Sequence, residues 1–203
     1  MRKSAIRKWM LITGAVLIIV LGVVLAVLYR DYSNSHLVTR LGKYQGLTVD
    51  AKGKEAEDAV AEAVVSKTRF GRKFDEELKK SVEDAMKVFT AEAEYLKQDF
   101  ATYLREKYDM TEAEFREKVE SATRDEMKLS AVLHAVAEKE KITFSDEELE
   151  KVMPYLLEAY GYTDETQFAR EVNLEEIRDE LLLEKVAAYL VTQNTVVNAK
   201  AAE

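Results

Sequence analysis

Cysteine is absent from this chain, and with it every disulfide, thiolate metal site and thiol nucleophile. The redox compartment stays open, because a cysteine-free chain works on either side of a membrane. Proline occurs once, at Pro154, and glycine seven times in 203 residues, so few positions force a break in a helix. The two histidines, His36 and His134, show neither the H-E-x-x-H spacing nor the clustering of a zinc site. His134 reads as a packed or surface helix residue. There is no glycine-rich phosphate loop. Acidic runs such as Asp146-Glu147-Glu148 fit the first turn of a helix, where the dipole favours negative charge. The pattern shows no cleft that would bring two carboxylates together for hydrolysis. Serines and threonines fall mostly where helices need caps. No cofactor, metal ligand or catalytic residue is therefore nominated.

What is abundant is Ala, Glu, Lys and Leu, which together favour an all-α fold. The net charge of −8 is unevenly spread. Residues 1–30 hold Arg2, Lys3, Arg7, Lys8 and Arg30 and no acid, which leaves 25 basic against 38 acidic side chains elsewhere, or −13. Such an acidic body is expected to be a poor nucleic-acid binder, to stay soluble and to be repelled by anionic lipid.

Residues 10–29, MLITGAVLIIVLGVVLAVLY, carry no charge. As a helix they would span about 30 Å, the thickness of a hydrocarbon core. Met10, Leu11, Ile18, Ile19, Leu21, Leu25 and Leu28 would face lipid, with Trp9 and Tyr29 at the two interfaces. A cleaved signal peptide would have a shorter apolar run and small residues near its end. Here Leu28 and Tyr29 stand where small residues would be needed. The segment reads as an anchor. Arg2, Lys3, Arg7 and Lys8 precede it, while Arg30, Arg40 and Lys43 follow more sparsely, so the positive-inside rule puts the amino terminus in the cytoplasm. Residues 31–203 would then be extracytoplasmic.

Residues 31–53 read as a tether and 54–203 as a helical domain. A short amphipathic helix is expected over 54–67, ending near Gly71. Next comes a long one from Asp75 to Tyr108, with Phe74, Leu78, Val82, Met86, Phe89, Ala93, Leu96, Phe100 and Tyr103 recurring at steps of three and four. Thr111 and Glu114 have capping-box spacing and open a second long arm toward Lys141. Ser145 and Glu148 repeat the device before a helix that holds Pro154, where a kink is expected, and ends at Gly161. Thr163 and Asn173 are the expected caps of the last two helices. Long amphipathic arms leave part of their apolar surface uncovered. Met86, Phe89, Tyr95, Phe100, Tyr103, Tyr108 and Met110 on the arms, with Met153 and Tyr160 beyond them, are the candidate residues for gripping other polypeptides.

The run from FDEELKK through MTEAEFREKV to LSAVLHAVAEKEKITFSDEELEKVM, closed by LEEIRDELLLEKVAAYLVTQNTVV, resembles the carboxy-terminal chaperone domain of bacterial trigger factor. The resemblance covers about residues 65–197. The periplasmic chaperone SurA has a related helical core. In the family, a stretch like LGKYQGLTVD comes just before an FKBP-type prolyl isomerase domain, and one like VVSKTRFGRKFDEELKK just after it. Here about fifteen residues, Ala51 to Val65, separate the two, too few for that domain. The family's ribosome-binding domain is missing as well, with the apolar segment in its place. The resemblance implies a chaperone body whose helical arms cradle unfolded chains; together with the apolar segment, the expectation is a non-enzymatic, membrane-anchored holdase for unfolded or exported chains, working without ATP and without the ribosome. The alternative is an adaptor that binds one membrane-associated partner through the same arms.

Overall fold

The computed structural model describes residues 34–200, so the apolar segment 10–29 and its flanking charges lie outside the described residues. Among the described residues no helix is long and apolar enough to cross a membrane. Seven α-helices dominate the described residues: α1 (Ala56–Val65), α2 (Arg72–Tyr95), α3 (Phe100–Tyr108), α4 (Glu112–Glu140), α5 (Asp146–Tyr160), α6 (Glu165–Glu171) and α7 (Leu174–Thr192). Four short strands accompany them: β1 (Val38–Arg40), β2 (Thr48–Asp50), β3 (Arg69–Phe70) and β4 (Thr195–Val197). The chain divides into a central unit, residues 71–128, and a terminal unit made of 34–70 with 129–200. The division falls inside α4.

One expected helix is two. The apolar stripe from Asp75 to Tyr108 predicts a single rod, but the rod stops at Tyr95 and restarts at Phe100. Lys97 takes φ 56°, Gln98 N–H donates to the Ala93 carbonyl and Lys97 N–H to that of Glu94. This is the double bond pattern that closes a helix, normally around a glycine. Asp99 then caps α3, its carboxylate accepting from Thr102 N–H at 3.0 Å. The same closure ends α4, where Lys141 has φ 56° and Ile142 N–H reaches the Ala137 carbonyl. Gly161, at φ 74°, does it for α5.

The reciprocal boxes at Thr111/Glu114 and Ser145/Glu148 are formed. Asn173 caps α7, but α6 is capped by Asp164 rather than Thr163. Helix α5 continues through Pro154, which faces solvent, so water can reach the Glu150 carbonyl that proline leaves without a donor.

The stretch expected to act as a tether is part of the terminal unit from Asn34 onward. Leu37, Tyr44 and Ala51 are buried. β1 pairs antiparallel with β3, and β2 pairs parallel with β4, Val49 opposite Val196. Further backbone bonds join Gly46, Ala51 and Gly53 to Gln193, Val197 and Asn198. LGKYQGLTVD is thus stitched to the end of the chain. Its core, with Tyr44 and Val49, includes Val60 and Val64 of α1, Val132 and Val136 of α4, and Val186 and Leu190 of α7. A second, smaller core gathers Leu149, Met153, Phe168 and Ile177 from α5, α6 and α7.

Candidate client-binding surfaces

The central unit is built on aromatic rings. Phe89 of α2 lies edge-on to Phe115 of α4 at 4.9 Å between centroids, and Tyr108 of α3 stacks on Phe115 at 5.1 Å. Tyr103 meets Tyr108 edge-on at 5.7 Å, and Phe100 stacks on Tyr103 at 6.2 Å. Such pairs add to the area they bury. The turn at Lys97 makes this possible, because α3 can supply its rings beside α2 only if the rod breaks.

A polar latch sits at the edge of this cluster. The Tyr103 hydroxyl donates to Glu92 at 2.6 Å, and the Lys107 ammonium pairs with the same carboxylate. Burial pushes the Tyr103 phenol far up, and its bond to Glu92 pushes it further. For Glu92, burial opposes the charge, but hydrogen bonds from Lys107 and Tyr103 outweigh it and hold the carboxyl below the usual range. A carboxylate depressed on folding adds stability that is fully present above its unfolded pKa, about 4.3. That stability is lost as pH falls through the lower folded value. Acid titration followed by tyrosine near-ultraviolet circular dichroism should therefore show a loosening step below about pH 4. In Glu92→Gln this step should be smaller, the remainder coming from other depressed carboxylates such as Glu83 and Asp99. An identical acid profile in the variant would rule the latch out.

Of the nine nominated side chains, Met86, Phe89, Tyr103, Tyr108 and Met153 are buried in the two units. Phe100 and Met110 are partly covered. Tyr95 and Tyr160 stand on the surface, 86% and 50% exposed. Four large exposed apolar residues were not among the nominated ones: Val88, Leu96, Val197 and Tyr155, the last 73% exposed. Val88, Ala91 and Tyr95 are all exposed and recur at i, i+3 and i+7, a second and weaker stripe off the main one. In the terminal unit, Tyr160 leans on Phe168 at 5.5 Å with its ring half exposed. Residues 144–181 around it carry twelve acids against three bases, so the chain's excess negative charge is concentrated in this stretch.

Between α2 and α4 of the central unit lies an open groove of about 340 Å³. Leu78 and Val82 form its floor, while Lys79, Glu83, Arg116 and Arg124 are among its walls. Arg116 grips Glu83 through both guanidinium nitrogens at 2.8 and 3.1 Å. The groove is charged at the rim and apolar only beneath.

One buried constellation looks catalytic at first sight. His134 Nδ1 lies 3.2 Å from Ser130 Oγ, and Nε2 lies 2.8 Å from Asp179 Oδ1. The hydroxyl is not poised as a nucleophile. Nδ1 is closer, at 2.9 Å, to the Ser130 carbonyl, which can only accept, so this nitrogen carries a proton and is no base for Ser130. Asn34 Nδ2 donates to Ser130 Oγ, and Asn34, Ser130 and His134 are all buried. The network joins α4, α7 and the segment before β1 as a structural bolt.

Residues 48–192 match the family described as the bacterial trigger factor C-terminus. The chain belongs to the trigger factor C-terminal family. That family is the chaperone part of trigger factor, distinct from its isomerase part. Helices α1 to α7 all fall inside the matched trigger factor region, as does β2. No curated protein and no solved structure matches the chain.

Proposed function

We propose that this chain is a membrane-anchored, ATP-independent holdase. Its amino terminus lies in the cytoplasm, residues 10–29 cross the bilayer, and the body stands on the extracytoplasmic side. There it binds unfolded or newly exported polypeptides through exposed apolar side chains. The observation that carries this reading is the set Val88, Tyr95, Leu96, Tyr155 and Tyr160, left on the surface of a domain from a chaperone family. The anchor is supported by the uncharged run and the four cations before it.

Fully covering one such side chain is worth about 1.5–3 kcal/mol. A few contacts made together hold a client, and each is weak enough to release without a chemical step. The acidic stretch 144–181 keeps a loaded complex soluble.

The full chain in lipid nanodiscs, at several-fold molar excess, should suppress light scattering from a denatured model protein. Serine replacements at Val88, Tyr95, Leu96 and Tyr155 together should remove most of the protection and leave the melting temperature nearly unchanged. Undiminished scattering with the unmutated chain refutes the holdase.

A further inference from the structure

The average charge of the body conceals a basic patch on its terminal unit. No Asp or Glu occurs in residues 32–49 or 63–74, and the strands β1 and β3 bring these two stretches together. Arg40 stands directly opposite Arg69 across the β1–β3 ladder. A Cβ on Gly42 would lie 2.7 Å from Lys67 atoms, so the two backbones touch there, with Lys43 the next residue along. Gly42 N–H also donates to Thr68 Oγ1 at 3.0 Å. Arg40, Lys43, Lys67 and Arg69 are all exposed. Among the described residues none of the four forms an ion pair.

Like charges placed directly opposite across two strands repel. Lys43 Nζ donates to the Gly46 carbonyl at 3.0 Å, and the four exposed cations, with no acid in either stretch, form a positive surface suited to an anion from outside.

Position along the chain says which anion. β1 starts nine positions after Tyr29, the end of the apolar run. Nine residues reach at most about 30 Å when fully extended. Granted the membrane anchor proposed above, we infer that Arg40, Lys43, Lys67 and Arg69 form a docking patch for anionic phospholipid headgroups. It holds the β1–β3 edge of the body against the bilayer. Guanidinium and ammonium groups pair with lipid phosphates, and the attraction acts within a Debye length of the surface. The apolar anchor keeps the chain in the membrane, and the patch sets which side of the body faces it.

The absence of cysteine makes the test direct. The full chain with Ser66→Cys carries a single donor dye beside Lys67, and nanodiscs carry acceptor-labelled headgroups. Discs of phosphatidylcholine alone are compared with discs containing phosphatidylglycerol. Energy transfer should rise in the anionic discs and fall back to the neutral level in about 0.5 M salt. It should also fall back in the Arg40→Gln/Lys43→Gln/Lys67→Gln/Arg69→Gln variant, whose fold is checked by circular dichroism. Each single replacement should weaken surface attachment about fivefold. A chain retained in the discs whose transfer ignores lipid charge overturns the patch and leaves the anchor standing. A chain that does not stay in the discs overturns the anchor, and the patch with it. Transfer that ignores lipid charge, together with retardation of single-stranded nucleic acid by the patch, overturns the lipid assignment in favour of a different polyanion.

Discussion

Phe89→Ala should be the most damaging single replacement in the central unit, costing about 3–5 kcal/mol. Phe89 is 1% exposed and touches rings from two other helices, Tyr108 on α3 and Phe115 on α4. Removing it opens a ring-sized cavity that Phe115 and Tyr108 cannot fill, since each is itself held by the other. With a total stability of order 5–15 kcal/mol for a domain, such a loss leaves the unit close to unfolded at growth temperature. Denaturant titration followed by tyrosine fluorescence measures it. Tyr95→Ala, six residues along the same helix, should shift the midpoint by less than about 0.5 kcal/mol, because its side chain is in water already. Equal effects at the two positions would mean that α3 does not fold back on α2 in solution.

Asp179→Ala should cost about 3 kcal/mol in the terminal unit. His134 is 6% exposed, and its Nε2 has the Asp179 carboxylate as its partner at 2.8 Å. Deleting that acceptor strands a ring nitrogen in a place water does not reach. Asp179→Asn keeps a carbonyl oxygen at the same spot and loses only the charge, so it should cost markedly less. Denaturation midpoints of the two variants rank the effects. If alanine and asparagine proved equally mild, the His134–Asp179 bond would not be holding α4 to α7.

Both cases show why sequence patterning placed the helices better than it placed the surface. The stripe Phe74, Leu78, Val82, Met86, Phe89, Ala93 is legible because apolar side chains at steps of three and four must share a face, and all six are buried. What covers that face is not in the pattern. The break after Tyr95 was hidden because a lysine, Lys97, takes the left-handed conformation that usually betrays itself as glycine. Asp99 with Thr102 three residues on was the one readable hint. With the break missed, Phe89, Tyr103 and Tyr108 read as spare apolar surface. With it in place, they close on one another.

Sequence by itself determined the helical class, the caps at Thr111, Ser145 and Asn173, the family, and an uncharged run long enough for a bilayer. These are local properties, set by side-chain periodicity, hydrogen-bonding caps and composition. Tertiary structure alone decided which apolar residues stay in water. It also decided that LGKYQGLTVD pairs with the chain's end rather than leading elsewhere, and that Arg40 and Arg69 meet across a ladder. Each of these joins residues 29 to 147 positions apart. Pairing over such distances depends on competition among all available partners, which no short window of sequence contains.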